Sequence, residues 1–444
     1  MGSADTNTLD RVTQDARTLN FAGYNQPRDG KPDLFLTQVR RGTPGGEYLR
    51  RYWHPVAYLT ELETDVPLKV RALGEDLVVF KDKSGRYGAM HLNCCHRNTS
   101  LEFGVIEERG IRCCYHGRLF DIDGTTLEMP GEPEEVLRRN KARQGAYPTH
   151  AFGGILFIYM GPPERIPVFP MLDRFSVPGV QLIPGERWRV NCNWLQIQEN
   201  TLDAAHTATL HAIPQLRGMD HFATEFGNFP HLITWAETPA GYMYMAARHV
   251  ADKVWVRSAE TIGATCRCIS SIFEAGNNLK KASLPFMTFW ILPVDDDESC
   301  NFYISHVAPD EPLPFDKRRE LEAFGQRDDR PYRERQLIPG DHEAQSGQGP
   351  INNHGQENLA TMDRGIALFR RKLRDNIERV ARGEVPVGVY FDQRDVPPTF
   401  TNDLVVEEGE VGGEPESRQV LQAFCDRVVQ SYLEAPPIRE LSPR

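Results

Sequence analysis

From Trp53 onward, short apolar runs alternate with Gly, Asp and Lys turns. VAYL, PLKVRAL, DLVVF and RYGAM follow in order, and GGILFIYM at 153–160 closes the series before Gly161-Pro162-Pro163. Runs of this length between turn residues read as strands, so residues 46–165 are expected to form a small antiparallel β domain. Longer runs come later: HLITWAET, GYMYMAARHV, VWVRSAETI, RCISSIFEA, MTFWILPV and NFYISHVA. With turn signals at Pro239-Ala240-Gly241 and Asp295-Asp296-Asp297, they predict a larger antiparallel sheet within 166–444. Helical patterns span 191–214, ending at Pro214, then 359–383 and about 417–433. Residues 312–340 are charged and punctuated by proline, which reads as a helix plus an irregular loop. Residues 1–45 are polar and read as an N-terminal extension packed on the surface. The expected class is α+β, without internal repeats.

Composition narrows the setting. A chain of 444 residues suggests about two to three domains. Its 40% hydrophobic and 25% charged residues are ordinary for a soluble globular protein. A net charge of −11 argues against nonspecific nucleic-acid binding, which needs a basic footprint. Nine cysteines, with Cys192, Cys266, Cys268, Cys300 and Cys425 scattered, do not form a secreted disulfide framework. The polar N-terminus has no signal-peptide core, and no apolar run approaches the ~20 residues of a membrane span. A cytoplasmic, reducing compartment is expected.

The candidate chemistry is concentrated between Asn93 and Asp121. Cys94-Cys95-His96 and Cys113-Cys114-Tyr115-His116 each combine thiol and imidazole. A Rieske [2Fe–2S] cluster needs that mixture, because two Cys hold one iron and two His the other. Structural Cys2His2 zinc sites usually pair like with like in each knuckle, so mixed knuckles favour the cluster over zinc. The doubled cysteines leave the register open, since Cys95 and Cys114 also sit beside the histidines.

A second constellation lies on the 191–214 pattern. Asp203 and His206 are spaced to share a helix face. His206 and His211 would stand about 140° apart on a regular helix, so both reach one metal only if the helix bends or bulges near Thr209. Two histidines alone are weak evidence. Beside a one-electron centre, however, two His and a carboxylate are the ligands of non-haem Fe(II) oxygenases.

With these motifs the chain resembles the Rieske non-haem iron oxygenases, the terminal (alpha) components of aromatic-degrading systems. The phthalate-dioxygenase-like branch, which includes aromatic O-demethylases, is the nearest in pattern. The resemblance rests on Tyr52-Trp53-His54-Pro55-Val56, both knuckles with CYHG and Phe120-Asp121, and Asn193-Trp194 followed by Glu199-Asn200-x-x-Asp203-x-x-His206-x4-His211. It implies a Rieske domain followed by a helix-grip-like catalytic domain. It selects Cys94, His96, Cys113 and His116 as cluster ligands, leaving Cys95 and Cys114 as spare thiols or a redox-sensitive pair, with a buried, inert pair the expectation. It makes His206 and His211 iron ligands, with Asn200 close to the iron. Asp203 becomes a carboxylate bridging to the Rieske histidine of a neighbouring subunit. The stretch from Asp341 to Ile351 resembles the segment carrying the third ligand, which points to Asp341, with Glu343 as runner-up.

The sequence departs from the family at Cys95, where proline is common, at Asn98, where glycine is common, and at Arg118, where tryptophan is frequent. No G-x-G-x-x-G fingerprint is present, so electrons from NAD(P)H must come through a separate reductase or ferredoxin. The resemblance further implies a homotrimer and a small anionic aromatic substrate with O2. Arg248, His249, Lys253 and Arg257 could meet such a carboxylate, although each is more often a solvated surface charge. Two other readings are a Rieske electron-transfer or redox protein without oxygenase activity, and a zinc-stabilised binding protein.

Overall fold

The computed structural model describes residues 23, 26, 29–63, 65–139, 142–213, 229–270, 283–308, 329–414 and 416–441. Pro214, residues 271–275 of the fourth long run and residues 312–328 therefore lie outside the described residues.

The small β domain contains eleven strands: β1 (Trp53–Tyr58), β2 (Leu68–Ala72), β3 (Glu75–Lys81), β4 (Tyr87–His91), β5 (Val105–Ile106), β6 (Ile111–Arg112), β7 (Leu119–Phe120), β8 (Thr126–Glu128), β9 (Ala146–Tyr147), β10 (Thr149–Phe152) and β11 (Ile155–Tyr159). They form three antiparallel sheets, ordered β2-β3-β4-β9, β5-β6-β7-β8 and β1-β11-β10. The first knuckle lies between β4 and β5, and the second between β6 and β7. Beneath them sits a local core of Val78, Phe80, Met90, Leu101, Ile111 and Phe120, which includes Cys94 and Cys113.

The second domain is built on a nine-stranded sheet. Its strands are β12 (Gln181–Pro184), β13 (Trp188–Val190), β14 (Leu232–Thr238), β15 (Gly241–Val250), β16 (Lys253–Ile262), β17 (Cys266–Ser270), β18 (Pro285–Asp295), β19 (Glu298–Val307) and β20 (Asp403–Glu407). The main path runs β12-β19-β18-β17-β16-β15-β14, with β13 paired to β19 and β20 to β16. A larger core joins the domains: Ala57, Phe157 and Ile158 of the small domain pack with Trp290, Ile291 and Ile304 of the large sheet.

Strand alternation gives the sheet two faces. Met243, Met245 and Ala247 of β15 face Leu421, Phe424 and Cys425 of a long helix, Arg418–Glu434. The alternate residues Tyr244 and Ala246 pack with Ala259, Ile269 and Ala204, the last just beyond the helix Trp194–Leu202. The metal-site candidates are carried on this second face.

The described end of the N-terminal extension is packed inward rather than laid on the surface. From residue 33 it forms two short helices, Leu34–Thr37 and Pro44–Leu49, with Leu36 and Val39 fully buried. Asn193, at the start of the 194–202 helix, donates from Nδ2 to Thr37 O (2.8 Å) and Asp296 O (2.6 Å). The segment is thus tied to the start of the 194–202 helix and to the β18–β19 turn; its buried Leu and Val positions are too few to give a periodic signal. The helix expected at 359–383 runs Arg364–Ala381, and the one expected at about 417–433 runs Arg418–Glu434.

Candidate metal centres

The two knuckles are the same loop built twice. Cys94 N–H donates to Thr99 O (2.9 Å), and Asn98 N–H returns to Cys94 O (2.9 Å). Cys113 N–H donates to Arg118 O (2.8 Å), and Gly117 N–H returns to Cys113 O (3.0 Å). Each loop closes on a residue with positive φ: Asn98 at 60° and Gly117 at 70°. Asparagine is among the few side chains that tolerate this region, which explains how Asn98 replaces the family's glycine. Asn98→Gly should leave stability unchanged, whereas Asn98→Val should lower it by about 1–2 kcal/mol. Urea unfolding of the cluster-loaded protein checks both.

Cys94 and Cys113 are buried, at 1% and 3% exposure, while His96 is exposed and His116 half-buried. The two imidazole centroids stand 4.6 Å apart. Burial, reinforced by neighbouring Cys113, pushes the Cys94 thiol up to about 11, so a metal taking it must displace a proton. Two inward thiols and two outward imidazoles on paired loops fit the ligand set of a Rieske cluster. Cys95 and Cys114 depart from expectation, because both are exposed. Each is the first residue inside its turn, on the solvent side of a loop whose preceding cysteine, Cys94 or Cys113, is buried.

The 191–214 pattern is not one helix. It is helical over Trp194–Leu202 and breaks at Asp203, which is extended (φ −97°, ψ 94°). The break comes earlier than the bend expected near Thr209. Asp203 causes it: its Oδ1 accepts the N–H groups of Ala205 (2.9 Å) and His206 (3.3 Å), just before a new short turn at His206–Ala208. Restarting the chain there brings the His206 and His211 rings to 5.3 Å.

Asp341, far along the chain, opens the helix Asp341–Ser346 and is buried. Its Oδ1 is 3.5 Å from His206 Nε2, and its Oδ2 is 3.5 Å from His211 Nε2. The three candidate ligand atoms all lie within 4.8 Å of one another. Asn200 Nδ2 donates to Asp341 Oδ1 (3.2 Å) and lies 3.5 Å from His206 Nε2. Glu343 is engaged elsewhere, by Arg330 (2.8 Å), Arg335 (2.9 Å) and Gly340 N–H (2.8 Å). Asp203 Oδ2 lies 3.6 Å from His206 Nδ1, on the side of the ring away from Asp341. Burial alone would raise Asp203 and lower His206. Their mutual attraction outweighs it, holding Asp203 below the usual carboxylate range and His206 above the usual imidazole one. Two imidazole nitrogens and one carboxylate facing a common point, with the second nitrogen of one ring directed to another carboxylate, fit a divalent iron site.

Charges expected at the surface are partly inside. Arg248 is 1% and Arg257 7% exposed. Arg248 Nη2 donates to Thr207 Oγ1 (2.8 Å) and Ala204 O (3.3 Å), tying the His206 turn to β15, and Arg257 Nη1 donates to Tyr244 OH (2.9 Å). Strand alternation puts both on the inner face, a position that residue type alone does not disclose. His249 and Lys253 instead meet Glu408 and Asp252.

Sequence reasoning missed two supports of the site. Arg267 on β17 is buried beneath the 194–202 helix, donating to Asn301 Oδ1 (2.7 Å) and Thr201 Oγ1 (3.2 Å); burial draws its pKa down to about 10. Glu199, one residue before Asn200, binds Arg370 through both oxygens (2.5 and 2.7 Å), and Arg370 also holds Glu357. This triad fastens the 194–202 helix to the helix 364–381. Arg370→Met should destabilise the fold by about 3–5 kcal/mol, because two largely buried carboxylates lose their cation. Equilibrium denaturation measures it.

Comparison with known proteins agrees with this geometry. Residues 52–148 match the Rieske [2Fe-2S] domain. The oxygenase subunit of tert-butanol monooxygenase / tert-amyl alcohol desaturase from Aquincola tertiaricarbonis is 42% identical over 78% of this chain and 76% of its own. The alpha subunit of phenoxybenzoate dioxygenase from Ectopseudomonas oleovorans is 40% identical over 86% and 93%. The oxygenase subunit of 5,5'-dehydrodivanillate O-demethylase from a Sphingobium strain is 34% identical over 85% and 89%. The solved structure of NdmB from Pseudomonas putida CBB5 shares the fold, with a TM-score of 0.59 at 19% identity over 85% of this chain and 100% of its own. The domain match decides the knuckles for a cluster rather than zinc, and the relatives decide for an oxygenase rather than a simple redox carrier. The chain belongs to the Rieske non-haem iron oxygenases, as an oxygenase subunit of a multicomponent system.

Proposed function

We propose that this subunit uses O2, and electrons drawn from NAD(P)H by a separate reductase or ferredoxin, to hydroxylate or O-demethylate an aromatic acid. The observation that carries the reading is the convergence of His206, His211 and Asp341 in a chain that also has a Rieske domain. In this reading Cys94 and Cys113 hold one iron of the cluster and His96 and His116 the other, while His206, His211 and Asp341 hold a mononuclear Fe(II). When bound, the cluster supplies single electrons and the mononuclear iron supplies a site for O2 beside the substrate.

The chain's own residues position and insulate. Asp203 orients the His206 ring from its Nδ1 side and, in a ring of like subunits, accepts a hydrogen bond from a neighbour's Rieske imidazole. Asn200 fixes the Asp341 carboxylate by donating to it without adding a ligand. Tyr244, Ala246, Ile269 and Trp235 pack around Ala204 and keep water from this side of the His206 turn. A homotrimer in the cytoplasm is the inferred setting; among the described residues no helix is long and apolar enough to cross a membrane.

An aromatic acid is supported by the relatives named for phenoxybenzoate and dehydrodivanillate. The relative named for tert-butanol supports a second reading, a small tertiary alcohol. A single-turnover assay with labelled O2 on reduced, iron-loaded protein separates them. Formaldehyde from a methoxylated acid identifies an O-demethylase, and labelled phenol or diol without formaldehyde a ring hydroxylase. Label appearing only with tert-butanol would replace the aromatic reading.

A further inference from the structure

One side chain outside the ligand set binds the first knuckle at three points. Gln144 is 2% exposed and lies just before β9. Its Nε2 donates to His91 O (2.8 Å) and Asn93 O (3.0 Å), the residues that lead into the loop. Its Oε1 accepts the N–H of Cys95 (2.8 Å), the peptide group directly after the ligand cysteine Cys94. Its own backbone is pinned as well: Gln144 N–H donates to Gly124 O (2.9 Å), and Gly145 O accepts from His91 N–H (2.9 Å). The match between the two knuckles ends here. No hydrogen bond from Cys114 N–H, the equivalent group, occurs among the described residues.

This contact bears on the departure at Cys95. Proline has no N–H to satisfy. A cysteine there adds an N–H to the peptide that follows Cys94, in a loop where hydrogen bonds to sulfur help set a cluster's potential. An N–H reaching the sulfur favours the reduced, more negative cluster and raises that potential. We propose that Gln144 is a positioning residue for the cluster: its amide fixes the first ligand loop and holds the Cys95 N–H away from the Cys94 sulfur. The inference rests on the reading of Cys94 as a ligand.

The test is a double-variant cycle on the cluster-loaded protein, read by midpoint potential, EPR spectrum and iron and sulfide content. A Rieske-type EPR signal in the wild type tests the ligand reading separately; its absence would sink that reading and this one with it. Gln144→Leu should raise the potential and alter the EPR g values. Cys95 is the first residue inside the turn closed by Asn98 N–H on Cys94 O, the place where the resembled family commonly has proline. Cys95→Pro removes the N–H, so adding Gln144→Leu to Cys95→Pro should produce most of that shift no longer. An unchanged or lower potential in Gln144→Leu, or the full shift persisting in the proline background, overturns the proposal. Should Gln144→Leu fail to accumulate, recovery of cluster-bearing protein in the double variant supports the inference, and failure of both overturns it.

Discussion

Replacing His206 with alanine is expected to strip the mononuclear iron and abolish substrate oxidation while leaving the red-brown cluster in place. The two candidate centres rest on different local cores. The cluster loops rest on their own core of Val78, Phe80, Ile111 and Phe120, whereas His206 sits in a short turn against the large sheet. Loss of one imidazole leaves His211 and Asp341, too few donors to hold iron against water. The truncated side chain also removes the partner of Asp203 Oδ2, but both N–H bonds to Asp203 Oδ1 are made by backbone and survive. The iron-to-labile-sulfide ratio should therefore fall by the mononuclear iron alone, with the visible spectrum unchanged. Full iron content in His206→Ala would show that the metal is held elsewhere.

Asp203→Asn should be the more discriminating change. The asparagine Oδ1 can still accept from Ala205 and His206, so the chain break and both metals should persist. The second oxygen becomes an NH2 group. It no longer offers a carboxylate oxygen to His206 Nδ1, 3.6 Å away, or to an imidazole of a neighbouring subunit, and the negative charge that attracts both is gone. Turnover should fall at least about 10–100-fold, the range for losing such an outer-sphere partner. Rapid mixing of the reduced protein with substrate and O2 should show slowed oxidation of the cluster with no change in metal content. Steady-state activity equal to wild type would remove Asp203 from the path between the centres.

The parts of these sites that could be read from the chain are those made by near neighbours. Cys94 with His96, and Cys113 with His116, are candidate ligand pairs separated by one or two residues, and the turns that present them close within five residues. Asp203 and His206 were legible as a pair, but the pattern around them reads as continuous helix because Leu202, Ala204, Ala205 and Ala208 all suit one. The side chain of Asp203 ends the helix by taking two backbone N–H groups, a local competition that hydrophobic periodicity does not register.

Sequence by itself therefore determined the mixed knuckles, the order of a small and a large antiparallel domain, and the residue types for two metal centres. Tertiary structure decided which distant groups meet. It brought Asp341 rather than Glu343 to the histidines, because Arg330 and Arg335 hold Glu343 aside. It turned Arg248 and Arg257 inward by strand alternation, left Cys95 and Cys114 in solvent, and buried Leu36, Thr37 and Val39 of the N-terminal segment. It also supplied Gln144 to the first knuckle from a segment far beyond the loop. Each of these depends on contacts between residues remote in the chain, and burial and hydrogen-bond partners exist only once the sheets and helices have packed.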